Sequence, residues 1–247
     1  MSHALSREAK RLSRSAVRRL REDGPRGLVR EAADFAWSYA GWRLKRPDRN
    51  PQAFEFQGRR IPYVRHPYNR AWRNERSVEL ALARDFVERH RGTRILEIGN
   101  VLGHYGPVNH CVLDKYESSP GVTNADVVDF DPAEPFDAIV SISTLEHVGW
   151  DEHPREPEKV LRARANLLRL LRPGGPLLVT VALGYNPHLD RYLAEGRFEF
   201  PGEIYMKRIN RANEWREADA GEVQGARYGA PFRNANAIFV GVSPGSG

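Results

Sequence analysis

A chain of 247 residues can bury one sizeable core, and 40% hydrophobic with 28% charged residues is an ordinary globular composition. Its net charge of +6 is uneven: residues 1–50 carry 13 Lys and Arg against 6 Asp and Glu, so the remainder is nearly neutral. That excludes a broad nucleic-acid footprint beyond the N-terminal arm. Cys111 is the single cysteine, so no internal disulfide can form and a reducing cytoplasm is the expected location. No apolar run approaches the roughly 20 residues of a membrane span, and no apolar segment of the secretory type follows the basic N-terminus.

In chain order, apolar residues at 5, 9, 12, 16, 17 and 20 make the stripe of an amphipathic helix, with arginines filling much of its other face. Asp23-Gly24-Pro25 breaks it. LVREAADFAWSYAGW forms a second helix, so residues 1–50 read as a basic helical arm, with 51–247 as a separate folded domain. The arm suits packing on the domain, a homodimer contact or peripheral membrane contact. FEFQGRRIPY is a hairpin turning at Gln57-Gly58. NERSVELALARDFVERH is helical, with Asn74 as its N-cap. Strands follow at RILEIG, HCVLDKYE, ADVVDF and FDAIVSIST. PEKVLRARANLLRLL is an amphipathic helix stopped by Pro173-Gly174-Gly175. LLVTVAL and AIFVGVS are the last strong strands, with YMKRI a weaker one between them. The central strands are apolar throughout, as strands covered on both faces should be. The alternation predicts an α/β fold with a doubly wound, mostly parallel sheet.

In such a sheet a ligand sits beyond the carboxyl ends of the strands. ILEIGNVLGHYG, residues 95–106, occupies that place. A dinucleotide fingerprint starting at Gly99 would need glycines where the chain has Val101 and His104, which disfavours NAD or FAD. The pattern acid-x-Gly-x-Gly-x-Gly is met at Glu97, Gly99 and Gly103 and missed at Val101.

These residues resemble the class I S-adenosylmethionine-dependent methyltransferases, over roughly residues 74–243. The resemblance implies a Rossmann-like, seven-stranded sheet and S-adenosyl-L-methionine as cofactor. It places the methionine moiety and ribose against Glu97, Gly99, Asn100 and Gly103, the ribose hydroxyls on Asp114, and the adenine on Asp126 and the Val127 N–H. Ser143 joins the cofactor residues at the end of the fourth strand. FDAIVSISTLEHV with RPGGPLLVTVAL is similar to the family's fourth strand, helix and turn into the fifth.

For a hydroxyl acceptor, a base is needed near the methyl group, and histidine suits neutral pH. His147 is the candidate base, with Glu146 orienting it or binding cofactor or substrate; the bland alternative is a histidine that packs against the next helix. Some O-methyltransferases show E-x-x-E-H here and bind a divalent ion. Ser143 replaces their first acid, which leaves Glu146 and His147 as a half-set that His104, Asp151 or Glu152 would complete around Mg²⁺. His104, Tyr105, Trp150, Tyr185 and Asn186 are the expected acceptor-pocket residues, with His188, Arg70, Glu75 and Arg76 nearby. Aromatic faces beside amides and charges suit a sugar. The run from DKYE to GWDE is similar to mycobacterial sugar 1-O-methyltransferases of methylmannose polysaccharide biosynthesis, which implies the 1-OH of a short 3-O-methylated mannoside as acceptor. The alternatives are another small hydroxylated metabolite, RNA, or a catalytically silent cofactor-binding scaffold.

Overall fold

The computed structural model of the protein describes residues 52–243. The basic arm, and the dimer and membrane contacts expected of it, lie outside the described residues. No helix among the described residues is long and apolar enough to cross a membrane.

The hairpin forms as expected from β1 (Ala53–Phe56) and β2 (Arg59–Pro62). Gln57 and Gly58 both take positive φ, 50° and 71°, the geometry that closes a two-residue turn with the twist of its strands. Helix α1 runs Arg76–Arg89, one residue later than an Asn74 N-cap requires. Asn74 still meets the helix start, because its Oδ1 accepts the Arg76 N–H at 3.2 Å.

The main sheet contains β3 (Ile95–Ile98), β4 (Cys111–Leu113), β5 (Val122–Thr123), β6 (Ala138–Ile142), β7 (Leu177–Ala182), β8 (Gly202–Arg208), β9 (Trp215–Ala218) and β10 (Ala237–Val242). Their spatial order is β5-β4-β3-β6-β7-β10-β8-β9, with the first five parallel and β10 antiparallel to both neighbours. The sheet therefore has eight strands rather than seven, because β9 adds an antiparallel edge to β8. Its sequence, WREA, is short and half charged, so it carries no apolar run to announce it.

Alternate residues of the central strands serve opposite faces. Ala138, Val140 and Ile142 pack with α1, whereas Ile139 packs with α2 (Lys159–Leu170) and α3 (Pro187–Ala194). Two layers of helix thus seal the sheet, which is why β6, β7 and β10 are buried along their whole length.

One local expectation fails. ADVVDF is not a strand: β5 is Val122–Thr123, and residues 126–130 form a turn. The Asp126 Oδ1 accepts the Val128 N–H at 3.1 Å, and its carbonyl accepts from Asp129 and Phe130. An aspartate that bonds its own following backbone diverts the chain from the ladder. The segment after β7, from which Tyr185, Asn186 and His188 were expected to reach the acceptor, continues into helix α3 at 187–194, with Pro187 in its first turn and Asn186 as N-cap. A four-residue helix, α4 (Ala220–Val223), follows β9.

Candidate active site

Because β3 to β7 run parallel, the loops at their carboxyl ends gather at one edge. A cavity of about 440 Å³ opens there, between the loop after β3, the end of β4, the 125–127 turn and the segment after β6.

The loop after β3 needs its first glycine. Gly99 sits at φ +82°, and a Cβ there would lie 2.3 Å from the Thr144 Oγ1. A Cβ at Gly103 would lie 2.3 Å from the Asn100 Oδ1. Val101, by contrast, has φ −93° and ψ −53°, ordinary right-handed values that need no glycine. The departure at 101 therefore leaves the loop intact.

Glu97 is fully buried and does not line the cavity. Its Oε1 accepts the N–H groups of Val101 (2.9 Å) and Leu102 (2.7 Å), and its Oε2 lies 2.7 Å from the His110 Nε2. The acid expected to meet a cofactor instead braces the loop from behind, and His110, not anticipated from sequence, braces the acid. Gly103 likewise stands outside the lining.

Gly99, Asn100, Asp114, Asp126, Val127 and Ser143 do converge on the cavity. Asp114 fastens two loops: its Oδ2 accepts the Asn100 N–H at 3.0 Å, and its Oδ1 accepts those of Tyr116 and Glu117 at 2.8 Å each. Glu117 also lines the cavity and was missed. Its Oε1 accepts from the Asn100 Nδ2 at 2.8 Å, and its Oε2 lies 3.1 Å from the His104 Nε2. Asp126 faces the Lys159 and Lys115 ammonium groups. Burial works against its charge, yet hydrogen bonds from Lys159 and then Lys115 hold its carboxyl down at about 2.

Ser143 directly follows β6 at φ +37°, a sparsely populated conformation for a non-glycine residue. Its N–H donates to the Thr180 carbonyl at 2.9 Å and its hydroxyl to Glu79. Glu79 in turn is buried against the Arg76 guanidinium at 2.8 Å. Glu75 and Glu146 stand buried close by, and burial is the main force pushing both carboxyls up.

His147 lies in a short 3₁₀ turn, Leu145–His147, with its side chain 42% exposed at the far end of the cavity. Its Nδ1 is 2.6 Å from the Asp151 Oδ2, which also accepts the Tyr185 hydroxyl at 2.7 Å. The Tyr185 ring stands edge-on to the imidazole at 4.6 Å, and Tyr228 edge-on to Tyr185 at 5.3 Å. Burial and the Asp151 carboxylate push the Tyr185 hydroxyl well above its ordinary range, so it stays a donor. The carboxylate that orients His147 is thus Asp151, four residues on, rather than Glu146. Glu146 turns inward: its Oε1 accepts the Ala182 N–H at 3.1 Å, and it does not line the cavity.

Of the expected acceptor residues, His104 and Tyr105 line the cavity. His104 stacks on Tyr68 at 5.1 Å, and Tyr105 meets Tyr68 edge-on at 5.3 Å. Tyr185 reaches the site through Asp151. Trp150 and Asn186 do not reach it. Trp150 packs on His188 at 5.5 Å under the Arg155 guanidinium. Asn186 is buried, capping α3 through Oδ1 and donating from Nδ2 to the Glu146 carbonyl at 2.9 Å.

The donor set does not suit a divalent ion. Glu146 is turned away, Asp151 holds His147, Glu152 is held by two lysines, and His104 faces Glu117. Among the described residues no three His, Cys, Asp or Glu side chains stand together in a metal-holding group.

No known family profile matches the chain, and no curated protein matches it in sequence. Solved structures do. The N-methyltransferase NodS from Bradyrhizobium japonicum WM9, with S-adenosyl-L-homocysteine, is 16% identical at a TM-score of 0.41, covering 69% of this chain and 87% of that one. The sugar N-methyltransferase KedS8 from Streptoalloteichus is 16% identical at 0.34, covering 67% of this chain and 86% of its own. CalS10, an amino pentose methyltransferase from Micromonospora echinaspora, is 15% identical at 0.34, covering 68% of this chain and 90% of that one.

Proposed function

We propose that the protein is an S-adenosylmethionine-dependent O-methyltransferase that modifies a sugar hydroxyl, with His147 as general base. The observation that carries this reading is a single cavity lined by the glycine loop, Asp114, the Asp126–Val127 turn and an oriented histidine. At Gly99 the loop can offer a ligand bare backbone, since a Cβ there would collide with Thr144. In this reading, as the sequence resemblance implies, Asp114 holds the ribose hydroxyls and Asp126 with Val127 the adenine; all three line the cavity. When bound, S-adenosylmethionine would supply a methyl group already activated on sulfur.

The protein's own residues then have two tasks. The first is alignment, because a one-step displacement depends on how the acceptor oxygen is held. Tyr68, His104 and Tyr105 form the aromatic wall beside the loop, and Tyr185 with Tyr228 forms another beyond His147. Such faces with nearby charged groups suit the ring of a sugar. The second task is proton removal. Asp151 accepts the Nδ1–H, which fixes the tautomer and leaves Nε2 to take the hydroxyl proton, and its negative charge stabilises the imidazolium that results. The finer acceptor, the 1-OH of a short 3-O-methylated mannoside, rests on the sequence resemblance.

A labelled-methyl assay on mannosides, small phenols and RNA side by side tests the reading. Transfer to a mannoside at the anomeric oxygen supports it; transfer only to phenols or RNA, or none at all, overturns the sugar assignment. Calorimetry with S-adenosylhomocysteine tests the cofactor separately, with binding expected at about 7–8 kcal/mol.

A further inference from the structure

Four charged side chains join the two ends of the cavity. The Lys159 Nζ lies 2.5 Å from the Asp126 Oδ2 and 2.6 Å from the Glu152 Oε2. The Lys115 Nζ lies 2.9 Å and 2.7 Å from the same two oxygens. Each carboxylate oxygen is thus shared by two ammonium groups. The four come from four places: the end of β4, the turn after β5, the segment after β6 and the first residue of α2. Lys115, Asp126 and Glu152 line the cavity, whereas Lys159 stands behind them with only 9% of its side chain exposed. A lysine so withdrawn from water is tolerated because both of its partners are charged.

The segment bearing Glu152 is stiff. Gly149 sits at φ +72°, and a Cβ there would lie 2.1 Å from the Glu156 carbonyl oxygen, so no other residue could make this turn without a shift. The Gly149 carbonyl accepts the Glu156 N–H at 2.8 Å, and the Glu156 carbonyl accepts the Lys159 N–H at 3.0 Å. Asp151, which holds His147, is the neighbour of Glu152 on this loop. Fixing Glu152 therefore fixes Asp151.

We propose that Lys159 is a positioning residue for methyl transfer: with Lys115 it locks Asp126 to Glu152, and through the 149–156 loop it sets the Asp151–His147 pair. This rests on the methyltransferase reading above and extends it. The same four charges shape the wall expected to hold the nucleoside and the base expected to act on the acceptor. Removing one ammonium leaves two half-buried carboxylates sharing a single cation, which drives them apart and loosens both ends together.

The test compares Lys159→Met, Lys159→Arg and Lys115→Met in the full chain, using S-adenosylhomocysteine binding and methyl transfer to the best acceptor. Lys159→Met should weaken binding about tenfold or more, the scale of a lost charge-assisted contact. It should also lower kcat by a similar factor with the acceptor KM little changed, and Lys159→Arg should restore most of both. With Asp126→Asn added, the loss in binding should be less than the two single losses combined, because one contact cannot be removed twice. A role confined to general stability would lower the melting temperature, leave binding and kcat unmoved below it, and overturn the proposal. If Lys159→Met does not fold, Lys115→Met carries the same test, and wild-type binding and kcat in that variant overturn it. Wild-type protein that takes up no S-adenosylhomocysteine removes the methyltransferase reading and the clamp together. Wild-type binding with Lys159→Met unchanged to within about twofold removes the clamp alone.

Discussion

At the scale of single residues, the site depends on a few side chains whose neighbours leave them no alternative. Gly99 is one: its left-handed backbone and the 2.3 Å approach to Thr144 leave no room for a methyl group. Gly99→Ala should cost about 1–2 kcal/mol in backbone strain alone, and more at the collision. Its expected signature is lost S-adenosylhomocysteine binding in calorimetry, with the remaining fold retained by circular dichroism. His147 is another. His147→Ala should leave that binding intact and lower kcat by about 10²–10⁴-fold, the range for a lost general base; equal turnover in the variant would remove the histidine from the mechanism. Asp151→Asn should reproduce part of that loss, because it exchanges a charge for a dipole beside Nδ1. His147 and the glycines were legible in the sequence, since they sit at motif positions. Asp151 was legible only as a metal-ligand candidate, and Glu117 and Lys159 not at all, because a salt bridge between residues 126 and 159 leaves no trace in either local stretch.

At the scale of elements, α3 joins the core to the site. Asn186 caps its start and ties it to the Glu146 carbonyl, and Asp190, on its first turn, accepts the Gly184 N–H through both oxygens at 3.0–3.2 Å. Burial raises the Asp190 carboxyl from 3.8 to about 6, against the lowering effect of the Gly184 hydrogen bond. The sign follows from proton counting. Between pH 4 and 6 the unfolded chain releases this proton while the folded chain retains it, so stability falls as pH rises through that window. Asp190→Asn should abolish that component. Denaturation series should show the variant gaining on the wild type from about pH 4 to pH 6 and holding level above. A difference that is flat across the window would show that Asp190 is ionised in the fold. The Asn-Pro pair at 186–187 is a helix-start signal of the ordinary kind, yet it also reads as a turn. Only the packing of Leu189 and Tyr192 into the core decides between the two.

At the scale of the molecule, one sheet carries both helical layers, and its stability rests on residues whose contacts span the chain. Leu167 of α2 is fully buried against the sheet. Leu167→Ala should cost about 2–5 kcal/mol, the transfer term plus the cavity left behind, visible as a lower denaturation midpoint. Cofactor affinity measured well below that midpoint should stay close to wild type, because Leu167 does not line the cavity. By itself the sequence determined the hairpin, helices α1 and α2, most of the apolar strands and their mostly parallel arrangement, and with these the edge at which a ligand is expected. Those features follow from periodicity and from turn residues, which act over a few positions. Tertiary structure alone decided the eighth strand, the unwinding of residues 126–130, the inward turn of Glu97 and Glu146, and the burial of Asn186. In each of these a polar group chose its partner among residues brought close only by folding, and the gain from satisfying a buried donor or carboxylate outweighed the local preference.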